Sequence, residues 1–368
     1  MFTFLIKPTN ACNLRCKYCF IQDTLKASSK IMSVDLAKKT IDKIAEFIIE
    51  HDQTECKIIW HGGEPLLWKA SNYDAVLSYM YDAYPEISWE NAMQSNLTLL
   101  TDEHLRVIKK YDIDLSTSMD GYEELHDQTR LTSDGSGSHS LVLEKIRTLR
   151  GEGINFGLIL VLTSRNIEKI IDIYRYYKNL KQGFLINPLL AEGEAKTNED
   201  LSITPEQYSE AMIKLFDYWV KDKDAVSVSN FVEWTSSIAT GMTSICSFCR
   251  NCQTIFSVIE PNGDIAPCDR FCGHKEFIFG NIQTDDLTDV YERKHRVFAK
   301  RADILKDSEC QDCRFWNVCN GGCPSESIGG MGDINHKTTY CHAIKSIYRH
   351  IENFITNHLT PSNYETEL

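Results

Sequence analysis

The ten residues ACNLRCKYCF, at positions 11–20, carry three cysteines, Cys12, Cys16 and Cys19, directly after a short apolar run. A structural zinc site takes four ligands, and a disulfide takes cysteines in pairs. The first histidine of the chain is His51, so no imidazole lies nearby in sequence to complete a zinc site. Three thiolates can instead hold a 4Fe-4S cluster that has one iron open to a group that is not protein. The loop therefore predicts an iron–sulfur cluster with a vacant coordination position.

Composition excludes several classes of function. The chain has 368 residues, 42% of them hydrophobic, which is enough for two or three domains. Its formal net charge of −13 argues against a nucleic-acid partner, because affinity for phosphate depends on Lys and Arg. No apolar stretch is long enough to cross a bilayer, and the N-terminus lacks the pattern of a signal peptide. We therefore expect a cytoplasmic protein that binds neither nucleic acid nor membrane.

The cysteines fall into two regions of the chain. Of fourteen cysteines, three lie within 12–19, one is Cys56, and ten lie between 246 and 341, so that 57–245 contains none. Thiols are kept reduced in the cytosol, where clustered cysteines are more often metal ligands or redox groups than disulfides. Cys56 is interpreted as a buried thiol on a strand, with no chemical role.

The cysteine-free body alternates between strand and helix patterns. Strand patterns occur at 2–7, 56–60, 90–95, 112–118, 154–163 and 183–190. Helical patterns separate them; the one at 33–50 begins with Ser33 as a plausible N-cap. Six β-then-α units predict an α/β fold with a parallel sheet, either doubly wound or curved toward a barrel. Ligands bind at the carboxyl ends of such strands, where the cysteine loop and the segments HGGEP (61–65), QSN (94–96) and SMDG (118–121) all fall.

The spacing C-x3-C-x2-C, together with Gly62-Gly63-Glu64-Pro65 after the second predicted strand, resembles the radical S-adenosylmethionine (SAM) superfamily. The resemblance implies a partial (β/α)6 TIM-type barrel. It also implies that SAM chelates the open iron and that one electron cleaves SAM to a 5′-deoxyadenosyl radical. An electron donor such as flavodoxin or ferredoxin would then be a partner.

The resemblance further implies which residues contact SAM. Glycine lets main chain approach the amino group of SAM closely, because it has no Cβ. The implied contacts are Tyr18, Gly62, Gly63, Glu64, Pro65, Gln94, Asn96, Ser118, Asp120 and Arg130. In the alternative interpretation, Asp120 and Gly121 form only a turn, and Arg130 is a surface ion-pair partner.

The C-terminal cysteines resemble the SPASM extension, which holds auxiliary 4Fe-4S clusters in certain radical SAM enzymes. The resemblance assigns one cluster to Cys246, Cys252, Cys268 and Cys323 and another to Cys310, Cys313, Cys319 and Cys341, which makes three clusters in all. Cys246 is preferred to Cys249 because sulfatase-maturating relatives have five residues between the first two ligands. Cys249 and Cys272 are left as possible substitutes or catalytic thiols. A zinc site at 310–323 is the alternative.

Two features follow from the segment PNGDIAPC (261–268) and the residue after it. Asn262 and Gly263 predict a tight hairpin turn that delivers Cys268. Asp269 comes next, and in sulfatase-maturating relatives an aspartate at this place is thought to remove a proton from the substrate. Beside an anionic cluster we expect a raised pKa for this carboxyl group. In the alternative interpretation, Asp269 pairs with Arg270 or caps a turn.

We therefore expect a radical SAM oxidoreductase that modifies a peptide or protein side chain after translation, as ribosomal-peptide (RiPP) maturases and sulfatase maturases do. Hydrogen abstraction would be followed by oxidation or crosslinking. The expected domains are the radical core at 1–230, the SPASM domain at 240–345, and a C-terminal helix and tail at 346–368. Because the first cluster cysteine is Cys12, we expect no leader-recognition domain before the core. Ile21 stands where sulfatase maturases usually have a second aromatic residue, which leaves the subfamily open.

Two other functions remain open at this stage. One is a radical SAM dehydrogenase acting on a small-molecule precursor. The other is a non-catalytic iron–sulfur electron-transfer protein, which would leave the GGEP segment and the three-cysteine spacing without a role.

Overall fold

The structure is a computed structural model, and it describes residues 1–21, 30–250, 252–271 and 273–358. Cys272 lies outside the described residues. The strands are β1 (Phe2–Ile6), β2 (Glu55–Trp60), β3 (Ser88–Ser95), β4 (Asp114–Ser118), β5 (Phe156–Leu162), β6 (Phe184–Pro188), β7 (Phe256–Ile259), β8 (Asp264–Ala266) and β9 (Gly280–Asn281).

The α-helices alternate with the strands in the first part of the chain and are short or irregularly spaced in the second. They are α1 (Val34–Glu50), α2 (Ala70–Ala83), α3 (Asp102–Lys110), α4 (Glu123–His126), α5 (His139–Gly151), α6 (Ile170–Asn179), α7 (Pro205–Trp219), α8 (Ser229–Thr240), α9 (Cys252–Ile255), α10 (Leu287–Phe298), α11 (Arg301–Lys306), α12 (Trp316–Cys319), α13 (Pro324–Met331) and α14 (Cys341–His358). None of these helices is both long enough and apolar enough to span a bilayer.

One sheet contains all nine strands, in the order β6-β5-β4-β3-β2-β1-β7-β8-β9. Strands β1 to β6 are parallel, and each lies beside its predecessor in the chain. A doubly wound sheet would reverse its strand order at a switch point. The sequential order is that of a barrel that has not closed, so the predicted partial (β/α)6 architecture is confirmed.

β7 joins the C-terminal region to the barrel. It pairs in parallel with β1, with Leu5 opposite Val258. β8 then returns antiparallel to β7 around Gly263, whose φ is +90°, which confirms the predicted hairpin. The sheet therefore runs without interruption from the barrel into the C-terminal region.

The helices cover the sheet for the reasons visible in their sequences. In α1, the Ser33 hydroxyl accepts a hydrogen bond from the Leu36 amide at 3.1 Å, as an N-cap does. Ile41, Ile44 and Ile48 of α1 are fully buried on its apolar face. At the other end of the chain, α14 packs against α7 and α8 and so fixes the last cysteine region to the barrel.

Candidate functional site

Gly62 and Gly63 lie against the backbone of the segment that enters the cysteine loop. The Gly63 amide donates to the Thr9 carbonyl at 2.9 Å, and the Glu64 amide donates to the Ala11 carbonyl at 2.9 Å. A Cβ on either glycine would lie 2.1 Å from a carbonyl oxygen of that segment, and Gly62 has a φ of +124°. The close approach that requires glycine is therefore made to protein backbone, and it fixes the cysteine loop against the end of β2.

Glu64 joins the ends of β2 and β3. Its buried carboxylate accepts hydrogen bonds from the Ser95 hydroxyl at 2.7 Å, the Asn96 amide at 2.8 Å and the Leu66 amide at 3.0 Å. Burial raises the pKa of Glu64 to about 7, although these hydrogen bonds act in the opposite direction. Pro65 follows it as the first residue of a buried 3-10 turn. Glu64 thus positions the polar residues that follow β3.

Gln94, Asn96 and Ser118 lie half-buried at the rim beside the cysteine loop. The Gln94 side-chain amide donates to the Ser118 hydroxyl at 3.2 Å. The Asn96 side-chain amide donates to Asn13 at 3.0 Å and lies 3.8 Å from the Cys12 sulfur. The structure therefore places all three polar groups at the carboxyl ends of β3 and β4, with Asn96 beside the first cysteine.

Tyr18, Asp120 and Arg130 bind one another. The Asp120 carboxylate accepts from the Tyr18 hydroxyl, from Arg130 Nε at 2.9 Å and from the Val161 amide at 3.1 Å. The Arg130 guanidinium lies 5.2 Å from the centre of the Tyr18 ring. Arg130 is buried, so the alternative of a surface ion pair is wrong. The three side chains attach the cysteine loop to the end of β4.

The three cysteines of the loop act on one another electrostatically. Burial, together with the nearby Glu64, Cys16 and Cys19, raises the pKa of the Cys12 thiol to about 12. The Leu14 amide donates to the Cys12 sulfur at 3.4 Å. Thiols that suppress one another's ionisation are stabilised when metal replaces their protons. The loop therefore fits a bound iron–sulfur cluster.

A second group of cysteines, which we call the inner quartet, consists of Cys246, Cys252, Cys268 and Cys323. A hydrogen bond between Cys246 and Cys252 raises the pKa of Cys252 and lowers that of Cys246. Burial, together with Cys323 and Cys246, raises the pKa of Cys268 to about 12. Four residues far apart in sequence are thus brought within electrostatic range of one another.

A third group, the outer quartet, consists of Cys310, Cys313, Cys319 and Cys341, which line one small cavity together. Burial, together with the other three thiols, raises the pKa of Cys319 to about 12. In the described part of the chain, no three His, Cys, Asp or Glu side chains form a site for a single metal ion. The two quartets have the membership that the SPASM resemblance implied, and their ligation of clusters stays a prediction.

Asp269 lies in a buried network of charges. The ammonium of Lys7, at the end of β1, contacts the Asp269 carboxylate and also Glu260 at 2.9 Å. Nδ1 of His61 lies 3.9 Å from the other oxygen of Asp269. Burial raises the pKa of Asp269, but Lys7, His61 and Arg270 outweigh it, so that the pKa is lowered.

The side chains of the protein itself thus lower the pKa of Asp269, and sequence reasoning missed Lys7. The expected rise beside a bound cluster stays a prediction. The available signal was a lysine that closes an otherwise apolar strand, FTFLIK. The alternative pairing of Asp269 with Arg270 is not what the structure has. Arg270 Nη1 donates instead to Glu326 at 3.0 Å.

A cavity of about 250 Å³ lies between the segment after β6, the residues that lead into α7, helix α13 and the two residues before α14. It is lined by Leu189, Leu190, Ala191, Glu192, Ser202, Ile203, Pro205, Glu326, Gly329, Gly330, Thr339 and Tyr340. Two residues after the lining residue Glu192, the Glu194 amide donates to the Cys19 carbonyl at 2.8 Å. Glu326 forms an ion pair with Arg270, whose pKa is raised by Cys323 and Cys268 of the inner quartet. The cavity is therefore linked through neighbouring residues to the first cysteine loop on one side and to the inner quartet on the other.

Comparison with protein families identifies this arrangement. Residues 6–177 match the model of the Radical SAM superfamily. These residues are therefore a radical SAM domain. Residues 246–314 match the model of SPASM, described as an iron-sulfur cluster-binding domain. The protein is accordingly a radical SAM enzyme with a C-terminal SPASM domain, and its cofactors are 4Fe-4S clusters and SAM.

Similar proteins cover nearly the whole chain. The serine-type anaerobic sulfatase-maturating enzyme of Bacteroides thetaiotaomicron is 28% identical over 372 residues, which is 94% of this radical SAM chain and 88% of the relative. The cysteine-type anaerobic sulfatase-maturating enzyme of Clostridium perfringens is 27% identical over 357 residues, which is 95% of each chain.

Solved structures show the same fold. Native anSMEcpe with bound AdoMet superposes with a TM-score of 0.84 at 24% identity, covering 96% of this chain and 98% of that chain. Streptococcus suis SuiB bound to S-adenosylmethionine superposes with a TM-score of 0.65 at 18% identity, covering 92% of this chain and 76% of that one.

Proposed function

We propose that this protein is a peptide-modifying radical SAM/SPASM oxidoreductase of the anaerobic sulfatase-maturating type. It would act in the cytoplasm on a cysteine or serine side chain of a peptide or protein. The observation that carries the proposal is the cavity linked to the first cysteine loop on one side and to the inner quartet on the other, since a substrate there would lie between two redox groups. Similarity to both serine-type and cysteine-type maturases along nearly the whole chain supports this class of substrate.

The proposal includes three 4Fe-4S clusters, one held by the first loop and one by each quartet. When bound, the first cluster and SAM supply a 5′-deoxyadenosyl radical that removes a hydrogen atom from the substrate. Gln94, Asn96 and Ser118 would contact SAM at the rim. Tyr18, Gly62, Gly63, Glu64, Pro65, Asp120 and Arg130 would border SAM and hold the loop that carries the cluster. A flavodoxin or a ferredoxin would donate the electron.

Asp269 is the proposed proton acceptor. A base must be deprotonated before it can act, and the contact with Lys7 keeps this buried carboxylate ionised near neutral pH. Lys7 also forms an ion pair with Glu260, at the end of β7. The charge network thus holds Asp269 in place between β1 and the residues that follow the hairpin.

Anaerobic turnover of two matched peptides tests the proposal. The reconstituted enzyme is incubated with SAM, a reductant and a sulfatase-derived peptide that has either cysteine or serine at the target position. Mass spectrometry is expected to show conversion of at least one side chain to an aldehyde, together with 5′-deoxyadenosine. The alanine peptide is the matched control and should stay unchanged.

Two results would contradict the proposal at different levels. Cleavage of SAM with both peptides unchanged would reject the sulfatase-maturating type and favour crosslinking of another peptide. No cleavage of SAM by the iron-loaded protein would reject the radical mechanism for this chain.

A further inference from the structure

Arg301, the first residue of α11, is a buried arginine with 7% of its surface exposed. Its Nε donates to the Ile334 carbonyl at 2.6 Å, and Nη2 donates to the His336 carbonyl at 2.8 Å. Longer hydrogen bonds of 3.3 to 3.4 Å reach the carbonyls of Asn320 and Gly321 and the hydroxyl of Ser327. All of these acceptors are neutral. They orient the guanidinium but do not balance its charge.

The groups that favour the charge of Arg301 are cysteines of both quartets. Burial lowers the pKa of Arg301, whereas Cys323 and Cys252 of the inner quartet and Cys310 and Cys319 of the outer quartet raise it. A buried cation is costly unless an opposite charge lies close to it. Negative charge on both quartets, such as bound clusters would carry, would therefore offset the burial of Arg301.

The chain itself places the guanidinium where the two quartets meet. Cys319 belongs to the outer quartet and Cys323 to the inner one, with three residues between them. Arg301 donates to the carbonyls of two of those residues, Asn320 and Gly321. A Cβ on Gly321 would lie 3.6 Å from Arg301 Nη1, so the guanidinium is held directly against this connection.

Two other cations near the quartets differ from Arg301. Lys294 donates to the Phe256 carbonyl and the Ser257 hydroxyl. The cysteines that raise its pKa, Cys252 and Cys268, both belong to the inner quartet. The pKa of Arg270 is also raised by cysteines of the inner quartet, and its guanidinium forms an ion pair with Glu326 at 3.0 Å. Of these three cations, Arg301 is the one that faces cysteines of both quartets.

We propose that Arg301 is a positive charge shared by the two auxiliary clusters and that it raises the reduction potentials of both. The inference rests on the cluster ligation proposed above. Reduction adds negative charge to a cluster, and a nearby cation in a poorly screened interior stabilises that form. Arg301 is then a positioning residue that acts through its charge. This charge makes both clusters better electron acceptors.

Redox titration of charge variants tests the proposal. The parent is the full chain with Cys12, Cys16 and Cys19 changed to Ala, so that electron paramagnetic resonance reports the auxiliary clusters without the first one. Arg301→Gln is expected to shift both midpoint potentials to more negative values at unchanged iron content. Arg301→Lys keeps the charge and should return both potentials toward the parent. Arg296→Gln removes an exposed charge from α10 and is the matched control, with no shift expected.

Three outcomes would overturn the proposal. Unchanged potentials in Arg301→Gln would remove the electrostatic role, and a shift in one cluster alone would show that the charge is not shared. Equal loss of iron from Arg301→Gln and Arg301→Lys would make the role purely structural. Failure of the cluster assignment itself is seen earlier and separately, as a parent that binds no iron before Arg301 is changed.

Discussion

The first cysteine loop and the C-terminal cysteine quartets are built in different ways. The three loop cysteines lie within eight residues, and side chains at the ends of β2, β3 and β4 hold the loop in place. The eight quartet cysteines come from a stretch of 96 residues, 246–341, in which short helices and turns carry them. A site built on the rim of a finished sheet should tolerate loss of its metal. A site assembled from distant segments should depend on its metal for structure.

The largest effect expected from this difference is on SAM cleavage. Changing Cys12, Cys16 and Cys19 together to Ala should abolish formation of 5′-deoxyadenosine while removing only about a third of roughly twelve irons. The fold should persist, because the loop rests on the rim through backbone hydrogen bonds of Gly63 and Glu64. Iron analysis and chromatography of the nucleoside measure both quantities. SAM cleavage by this variant would show that the radical site is elsewhere.

The next effect concerns product formation alone. Asp269→Asn keeps the shape of the side chain but cannot accept a proton, and a positioned base contributes roughly 10²–10⁴-fold to rate. We expect modified peptide to form slower by that factor, with 5′-deoxyadenosine still produced and all iron retained. Peptide product is followed by mass spectrometry.

The controls for Asp269 separate chemistry from structure. Asp264→Asn, in the nearby strand β8, changes a carboxylate outside the network of Lys7 and should keep the wild-type rate of product formation. Product at the wild-type rate in Asp269→Asn would exclude the base role. Loss of iron from that variant would indicate that Asp269 supports the inner quartet instead.

A smaller effect decides between Cys246 and Cys249 as the eighth auxiliary ligand. Cys246 is hydrogen-bonded to Cys252 in the inner quartet. We therefore expect Cys246→Ala to lose about a third of the total iron and to melt at a lower temperature, since the inner quartet joins distant segments. Cys249→Ala should match the wild type in both measurements. The opposite result for the two variants would assign the ligand to Cys249.

The smallest expected effect is on stability at the rim. An Ala at Gly63 would place its Cβ 2.1 Å from the Ala11 carbonyl oxygen, and such overpacking costs about 1–3 kcal/mol. Gly151→Ala, at the end of α5, meets no atom within 4 Å and is the control; it should be neutral or slightly stabilising. Denaturant unfolding measures the difference. Equal stability of the two variants would mean that the cysteine loop moves freely away from β2.

Sequence predicted the parallel sheet because its signals are local, and the family resemblance implied that the sheet is a partial barrel. Each of the six strands is a run of five to eight residues between helical patterns, and the motif segments follow the strands directly. The cysteine spacings pointed to two sets of cysteines that the structure brings near one another, and their ligation of clusters stays a prediction. The position of β7 beside β1 could not be predicted, because a four-residue strand gives no signal of a partner some 250 residues away.

Charge networks were predicted less well than metal ligands. Asp120 and Arg130 were expected beside SAM. The structure shows that they form an ion pair with one another and that Asp120 also accepts a hydrogen bond from Tyr18. Lys7 and Arg301 were not singled out at all, although both are buried and both lie beside proposed functional groups. A lysine or arginine in sequence looks like a solvated residue unless the tertiary structure buries it.

The parallel pairing of β7 with β1 also has a consequence for how the polypeptide is made. β1 emerges from the ribosome early and pairs with β2 on one side, but its other edge stays unpaired until Phe256–Ile259 has been synthesised. During that interval an apolar edge strand has open hydrogen-bonding groups, which is a template for aggregation. A nascent chain arrested before this segment would expose that edge permanently. Stop codons in the cysteine-free body should therefore yield inclusion bodies rather than a smaller folded core.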